Sequence, residues 1–381
     1  MHCQGHRLSD MKKITEYLKK EAVFIISVVL AAVSCFFVHP DSQYLSYIDI
    51  RTILLLFSLM LVVQAFVDAG LFQWAQNMIL KKTRNPRLLG LLLVLLVFIS
   101  SMAVTNDVAL ISFVPFTLLM FSSFDRRDSA FIVVMETIAA NLGSMATPFG
   151  NPQNLFLYSS FAISNSDFFR TVLPSSAVSL IMLACLCWFH RYRLELPAIQ
   201  NEEEKSRKLG RSIWIYVVLF VMILLSVLRL IPVPYAAAFA ALVILVFNRK
   251  VFLKVDYALL LTFCAFFIFV GNMKRIPQIS SMLETSLSGN EYWWGLGLSQ
   301  LISNVPAAIM LSGFASDIRM LLLGVNIGGL GTLIASLASL ISFKGYSGIR
   351  KSEGAYYFAI FTFYNLLFLA ALIPFSYFFR F

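Results

Sequence analysis

The chain has 381 residues, 59% of them hydrophobic and 13% charged, and a mean hydropathy of +0.80. That is more apolar surface than a soluble core of this length can bury, so composition excludes a soluble globular protein and reads as a multispanning membrane protein. The formal net charge of +10 is spread in short basic runs between apolar segments, the pattern of charge-directed membrane orientation, which argues against a nucleic-acid partner.

Residues 1–21 are basic, with Arg7, Lys12, Lys13, Lys19 and Lys20. No small-residue cleavage site follows, so the segment reads as a cytoplasmic N-terminus ahead of an uncleaved first helix, starting at either Met1 or Met11. A crossing needs about 20 mostly apolar residues, and spans are predicted at 22–39 and 49–69. The run 88–121 is long enough to enter and leave again at a polar tip, so it is predicted as a re-entrant hairpin. An interrupted span follows at 130–158 and a full one at 172–190. The polar stretch 191–211 is the one long linker and is predicted to be cytoplasmic. Beyond it come spans at 212–230, 234–248 and 255–271, a second re-entrant hairpin at 293–316, a second interrupted span at 320–343 and a last span at 356–378.

Basic residues support this arrangement. The segments predicted to be cytoplasmic hold Lys81, Lys82, Arg84 and Arg87, then Arg126 and Arg127, the group from Arg191 to Arg211, Arg249, Lys250 and Lys254, and Lys344, Arg350 and Lys351; the outer loops at 40–48 and 231–233 hold none. Arg170, Lys274, Arg275 and Arg319 are the exceptions. Two repeats emerge, 22–190 and 212–381, each reading span, span, hairpin, interrupted span, span, with the crossing at 212–230 between them. An odd number of crossings separates equivalent elements, so the expected fold is an all-α polytopic membrane protein built as an inverted repeat. The five cysteines, Cys3, Cys35, Cys185, Cys187 and Cys264, lie at no metal-binding spacing.

The chemistry sits where the apolar runs break. Asn141-Leu142-Gly143-Ser144 and Asn326-Ile327-Gly328-Gly329 match across the two halves, and each interrupts what would otherwise be a transmembrane helix. Upstream, the hairpin tips Thr105-Asn106-Asp107 and Ser303-Asn304-Val305 form a second pair. Unsatisfied polar groups cost several kcal/mol in lipid, so the tips must face protein, water or an ion. Asp107, an acid at bilayer depth, costs at least about 2.5 kcal/mol on insertion scales and so reads as functional. Thr147, Gly150, Asn151 and Pro152 open the first break, and Gly328, Gly331 and Thr332 the second, freeing backbone carbonyls for a hard cation and half-helix N-termini for an anion. Capping and close helix packing are the alternative readings of these residues. Glu136, five residues before Asn141, reads either as a proton-relay group or as the partner of a basic residue near the helix end.

The stretches 105–116, 141–158, 300–314 and 326–341 resemble the hairpin and broken-helix signatures of the ion transporter superfamily. The resemblance is to its citrate-transporter-like anion permeases, related to the divalent anion/sodium symporters, the arsenite permeases and a branch of sodium/proton antiporters. It implies an elevator transporter, often a homodimer, in which two hairpins and two broken helices slide against a scaffold. In the dicarboxylate branch a Ser-Asn-Thr tripeptide at each tip binds sodium and carboxylate; Thr105-Asn106-Asp107 and Ser303-Asn304-Val305 stand at those places, and the Asn-Asp pair is closer to the arsenite and sodium/proton branches.

The expected function is secondary transport of a small anion, a carboxylate or an inorganic oxyanion, across the plasma membrane, coupled to Na⁺ or H⁺ and requiring no cofactor. Na⁺/H⁺ exchange or arsenite efflux is the alternative. An intramembrane enzyme is the reading from another class, set aside because the chain lacks an aspartate-rich diphosphate motif, a His/Glu metal cluster and a Ser/Lys dyad at bilayer depth. Substrate binding is assigned to Thr105, Asn106, Asn151, Ser303, Asn304 and Thr332. Cation coupling is assigned to Asp107, Asn106, Thr147, Gly150, Asn304 and Gly328.

Overall fold

The computed structural model describes residues 22–83, 85–121, 125–192, 210 and 212–378. The predicted N-terminal segment 1–21 and most of the linker 191–211 lie outside the described residues.

All regular structure among the described residues is helical. In chain order, α1 (Ala22–Phe37), the short α2 (Tyr44–Tyr47) and α3 (Ile50–Asp68) lead to α4 (Leu71–Lys82). Next come α5 (Pro86–Ala103), α6 (Asn106–Met120), α7 (Arg126–Ser144), α8 (Pro152–Ser160) and α9 (Asn165–Phe189). The second half holds α10 (Ser212–Val227), α11 (Val233–Asn248), α12 (Tyr257–Lys274), α13 (Pro277–Leu287), α14 (Glu291–Ile302), α15 (Asn304–Ser312), α16 (Ile318–Ile327), α17 (Leu337–Ile349) and α18 (Gly354–Phe378). Six helical segments, Ile50–Asp68, Pro86–Ala103, Asn165–Phe189, Val233–Lys254, Tyr257–Lys274 and Gly354–Phe378, are long and apolar enough to cross a membrane by length and composition.

Local chemistry sets the helix starts. Asp49, Asn85, Ser164, Asp256 and Asp317 accept backbone N–H bonds from the first turns of α3, α5, α9, α12 and α16. Proline opens α5, α8 and α13, where its missing N–H removes nothing the helix needs. The cap at Ser164 starts α9 at Asn165, seven residues before the predicted 172. The predicted hairpins correspond to α5 and α6, joined by Val104 and Thr105, and to α14 and α15, joined by Ser303 alone. The predicted interrupted spans correspond to α7 and α8, and to α16 and α17.

The helices pack in two groups. In one, α12 lies on α1 while α10 and α11 lie on α3. In the other, α5, α6, α9, α17 and α18 surround α7, and α14 and α15 hold α16. The groups meet chiefly where α8 lies on α3 and α15 on α12. Every residue of α7 from Asp128 to Ser144 is buried, so the helix has no solvent- or lipid-facing side. Gly143 makes that depth feasible: a Cβ there would stand 2.4 Å from the Phe98 carbonyl oxygen of α5. Gly328 does the same for the second half, where a Cβ would stand 2.8 Å from Leu296 Cα on α14. Small residues at such crossings let helix backbones approach closely in membranes.

Candidate functional site

The two hairpin tips and the two breaks converge. At the first tip, Asn106 opens α6, donates from Nδ2 to Asn141 Oδ1 (3.1 Å) and accepts the Asp107 N–H on Oδ1 (3.1 Å). Asn141, in the last turn of α7, also accepts from Ser336 Oγ (2.8 Å) and donates to Ser339 Oγ (3.4 Å). Asn326 occupies the same place in α16: it accepts from Asn151 Nδ2 (3.1 Å) and donates to Asn154 Oδ1 (2.7 Å) and to the Leu322 carbonyl (2.8 Å). Asn151 and Ser336 are the N-cap residues of α8 and α17, and Asn154 and Ser339 lie three residues further on. The asparagine ending each half's broken helix therefore bonds the start of the other half's continuation. All six of these residues are buried, where an unpaired amide or hydroxyl would be costly, so the bonds fix both breaks in one geometry.

Between them lies a small cavity of about 10 Å³, the space of a single water or small cation. Its polar lining is Asn106, Asp107, Gln153, Asn304 and Ser336, and Leu259 of α12 closes one side. The lining comes from the first turns or caps of four helices: Asn106 and Asp107 from α6, Pro152 and Gln153 from α8, Asn304 and Val305 from α15, Ser336 and Leu337 from α17. The first turns of four helices, with their positive macrodipole ends, thus meet around one cavity, an arrangement suited to an anion. None of the lining residues is Lys or Arg. Two buried oxygens, Asp107 Oδ1 and Gln153 Oε1, have no hydrogen-bond partner among the described residues. Oxygen acceptors without donors suit a hard cation, and the only charged lining residue is the Asp107 carboxylate, within Coulombic reach of Asp256 at the start of α12.

The other residues singled out in the sequence fall around this core. Thr105 is the half-buried N-cap of α6. Thr147 donates to the Met102 carbonyl (2.5 Å) and its own carbonyl accepts from Asn154 Nδ2 (3.0 Å), latching the first break to the hairpin arm. Gly150 lies on the Ser144 backbone, where a Cβ would come within 2.2 Å of the carbonyl oxygen. Ser303 has φ +79°, a left-handed conformation that costs a residue with a Cβ about 1–3 kcal/mol. The Asn304 N–H donates to the Ala335 carbonyl (3.0 Å), tying that strained tip to the second break. Thr332 is exposed and bonds Gln300 through both its N–H (2.9 Å) and its Oγ1 (3.0 Å), away from the cavity. Glu136 is buried one and a half turns from Asn141, where Oε1 accepts from Thr117 Oγ1 (2.5 Å) and Oε2 has no partner among the described residues.

Asn141, Gln153, Asn154, Asn326, Ser336 and Ser339 were not assigned from sequence. A signal was present: Asn141 is followed by Asn151 and Asn154 ten and thirteen residues later, and Asn326 by Ser336 and Ser339 at the same intervals.

The profile of a family described as citrate transporter matches residues 14–319. The chain is similar to an uncharacterized transporter of Methanocaldococcus jannaschii, with 34% identity over 79% of this chain and 82% of that one. It is also similar to the inner membrane protein YbiR of Escherichia coli, with 30% identity over 86% and 88%. A shorter likeness, 29% identity over 40% of this chain and 32% of the other, is to the silicon efflux transporter LSI3 of rice, Oryza sativa subsp. japonica.

Proposed function

From membership of the citrate transporter family, to which this chain belongs, we propose that the protein is a secondary active transporter that moves a small anion together with Na⁺ or H⁺. The single observation that carries the anion is the meeting of four helix N-termini, those of α6, α8, α15 and α17, on one cavity. The substrate, a carboxylate or an inorganic oxyanion, is held by Asn106, Asn151, Ser303 and Asn304 at the N-terminal ends of these helices, with Thr105 beside them, while Thr332 is engaged by Gln300 outside the cavity. The coupling cation sits at Asp107 with Asn106 and Asn304, steadied by the first break at Thr147 and Gly150 and, across the second, by Gly328. With no Lys or Arg in the lining, an anion shares the site with the Asp107 carboxylate only when the cavity widens beyond its present single-water volume and a cation or proton offsets the charge. That is the physical basis of coupling.

The two halves of the chain are an inverted repeat in this reading. Matching α1 and α3 with α11 and α12 turns the α1–α12 contact into α11–α3, and matching α6 and α8 with α15 and α17 turns the α6–α17 contact into α15–α8. Transport then proceeds by movement of the hairpins and broken helices, α5–α9 and α14–α18, against α1, α3 and α10–α12. The protein works as a homodimer in the plasma membrane, with its N-terminus cytoplasmic.

A second reading, Na⁺/H⁺ exchange or efflux of arsenite or a similar small solute, is favoured by one observation: the cavity takes only a water-sized body, and two partnerless oxygens face it. Thermal unfolding of the purified protein across a panel of anions, with and without Na⁺ and at two pH values, decides between them, since a ligand of the folded state raises apparent stability. Stabilisation by one anion, strengthened by Na⁺ or by acid, is expected. If no anion stabilises the protein under any cation condition while Na⁺ or pH alone does, the second reading replaces the first.

A further inference from the structure

A second cavity, of about 370 Å³, lies where α7 begins and α9 ends. Its wall carries Arg127 and Phe131 of α7, His190 and Arg191 at the end of α9, and Tyr364 of α18. The Phe131 and His190 rings stack 3.8 Å apart and 6° from parallel, and Tyr364 meets Phe131 edge-on at 5.4 Å. His190 Nε2 lies 2.9 Å from the buried Asp128 carboxylate, so that acid is turned into the protein and engaged there. Arg127 and Arg191 are both exposed at the cavity, and neither forms an ion pair among the described residues. Two cations thus share a recess beside which Asp128 is already bonded to His190.

The recess opens onto an apolar seam. Phe189 (77% exposed) lines its edge on α9, and Leu367 stands one turn beyond Tyr364 on α18, which packs on α9; Trp188 and Ile181 (64% exposed) lie on the adjoining exposed face of α9. A free anion would use the guanidinium groups and leave the seam idle. A neutral lipid would use the seam and leave the guanidinium groups idle. The geometry points to a site for one anionic phospholipid, its phosphate on Arg127 and Arg191, its glycerol region over the Phe131–His190 stack, and an acyl chain along the α9–α18 seam. Arg–phosphate contacts are charge-assisted and directional, and anionic lipid attracts each basic residue near the surface by an amount equivalent to about fivefold in affinity. Because Phe131 and Arg127 belong to α7, whose other end carries Asn141, the bound lipid braces the helix on which the transport site is built.

Trp188 allows a direct test. A full-length variant in which Trp74, Trp214, Trp293 and Trp294 are replaced by Phe leaves Trp188 as the only tryptophan of the five, to be reconstituted in bilayers containing brominated phosphatidylglycerol or brominated phosphatidylcholine. Quenching is expected to give about a twentyfold preference for phosphatidylglycerol at low salt, and Arg127→Gln and Arg191→Gln should each lower it about fivefold. The pair Arg127→Lys with Arg191→Lys should keep most of it. Arg126, which covers the Tyr356 ring at 4.8 Å outside the cavity, supplies the control: Arg126→Gln should leave the preference intact. The proposal is overturned if the parent shows no headgroup preference, if Arg126→Gln costs as much as the cavity substitutions, or if inorganic phosphate abolishes the quenching difference, which would mark the cavity as a site for a free anion.

Discussion

Replacing Asn326 with alanine removes the acceptor of the Asn151 bond and the donor of the Asn154 bond. Asn151 keeps a bond to Ser144 Oγ at 3.2 Å, but Asn154 Oδ1 loses its partner in a buried site. A net hydrogen bond contributes about 1 kcal/mol and a stranded buried acceptor costs about 1–3 kcal/mol, so Asn326→Ala should destabilise the protein by about 2–4 kcal/mol. Denaturant unfolding in detergent measures this, and a double-mutant cycle makes it specific. Asn326→Ala with Asn154→Ala should show a coupling of about 1–2 kcal/mol, whereas Asn326→Ala with Ser339→Ala, whose partner is Asn141, should add within about 0.5 kcal/mol. A cost of Asn326→Ala below about 0.5 kcal/mol, or equal coupling in the two cycles, would refute the idea that crossed amide bonds hold the breaks.

Asp107→Asn should abolish the Na⁺ and pH dependence of transport in proteoliposomes while leaving the folded protein in the membrane; unchanged dependence would make Asp107 structural. Asn304→Ala should weaken anion binding and Asn106→Ala cation binding, each by tenfold or more, because Asn106 stands beside the acid and Asn304 does not; titrations at zero and saturating Na⁺ separate the two. Single cysteines at Glu203 and Gln43 should be labelled from opposite sides of the membrane, and same-side labelling contradicts the topology. Burial holds the His190 imidazole below its ordinary value of 6.5, against the opposing pull of Asp128. As pH falls below 6.5 the unfolded chain therefore takes up a proton that the folded chain resists. Stability should be full above that pH and decline below it, and His190→Gln should flatten the acid side of a stability-versus-pH curve.

Much of this was legible because breaks and tips announce themselves in an apolar chain. The hairpin arms, the breaks after Asn141 and Asn326 and the placement of Asn106 and Asp107 at a helix start follow from where Gly, Pro and polar residues interrupt hydrophobic runs. The helices α4 and α13 escaped because, at 12 and 11 residues, they are too short to register as spans. Ser336 and Ser339 escaped for another reason. The sequence of the second break draws attention to its glycines and to Thr332, but the cavity is lined by the residue that caps the following helix, four residues on. No periodicity within one half separates the two; only the intervals of ten and thirteen residues shared across the halves do so.

Those crossed bonds make each half of the chain dependent on the other for its own completion. Residues 22–190 contain Asn141 but not the hydroxyls that receive it, and residues 212–378 contain Asn326 but not Asn151 or Asn154. Translated as separate polypeptides, the halves would enter the bilayer with Asn141 Nδ2, Asn154 Oδ1 and Asn326 Oδ1 short of the partners they have here, at several kcal/mol per unsatisfied group in hydrocarbon, and would settle only on meeting. A ribosome finishing the first half therefore leaves its central helix waiting for partners not yet made.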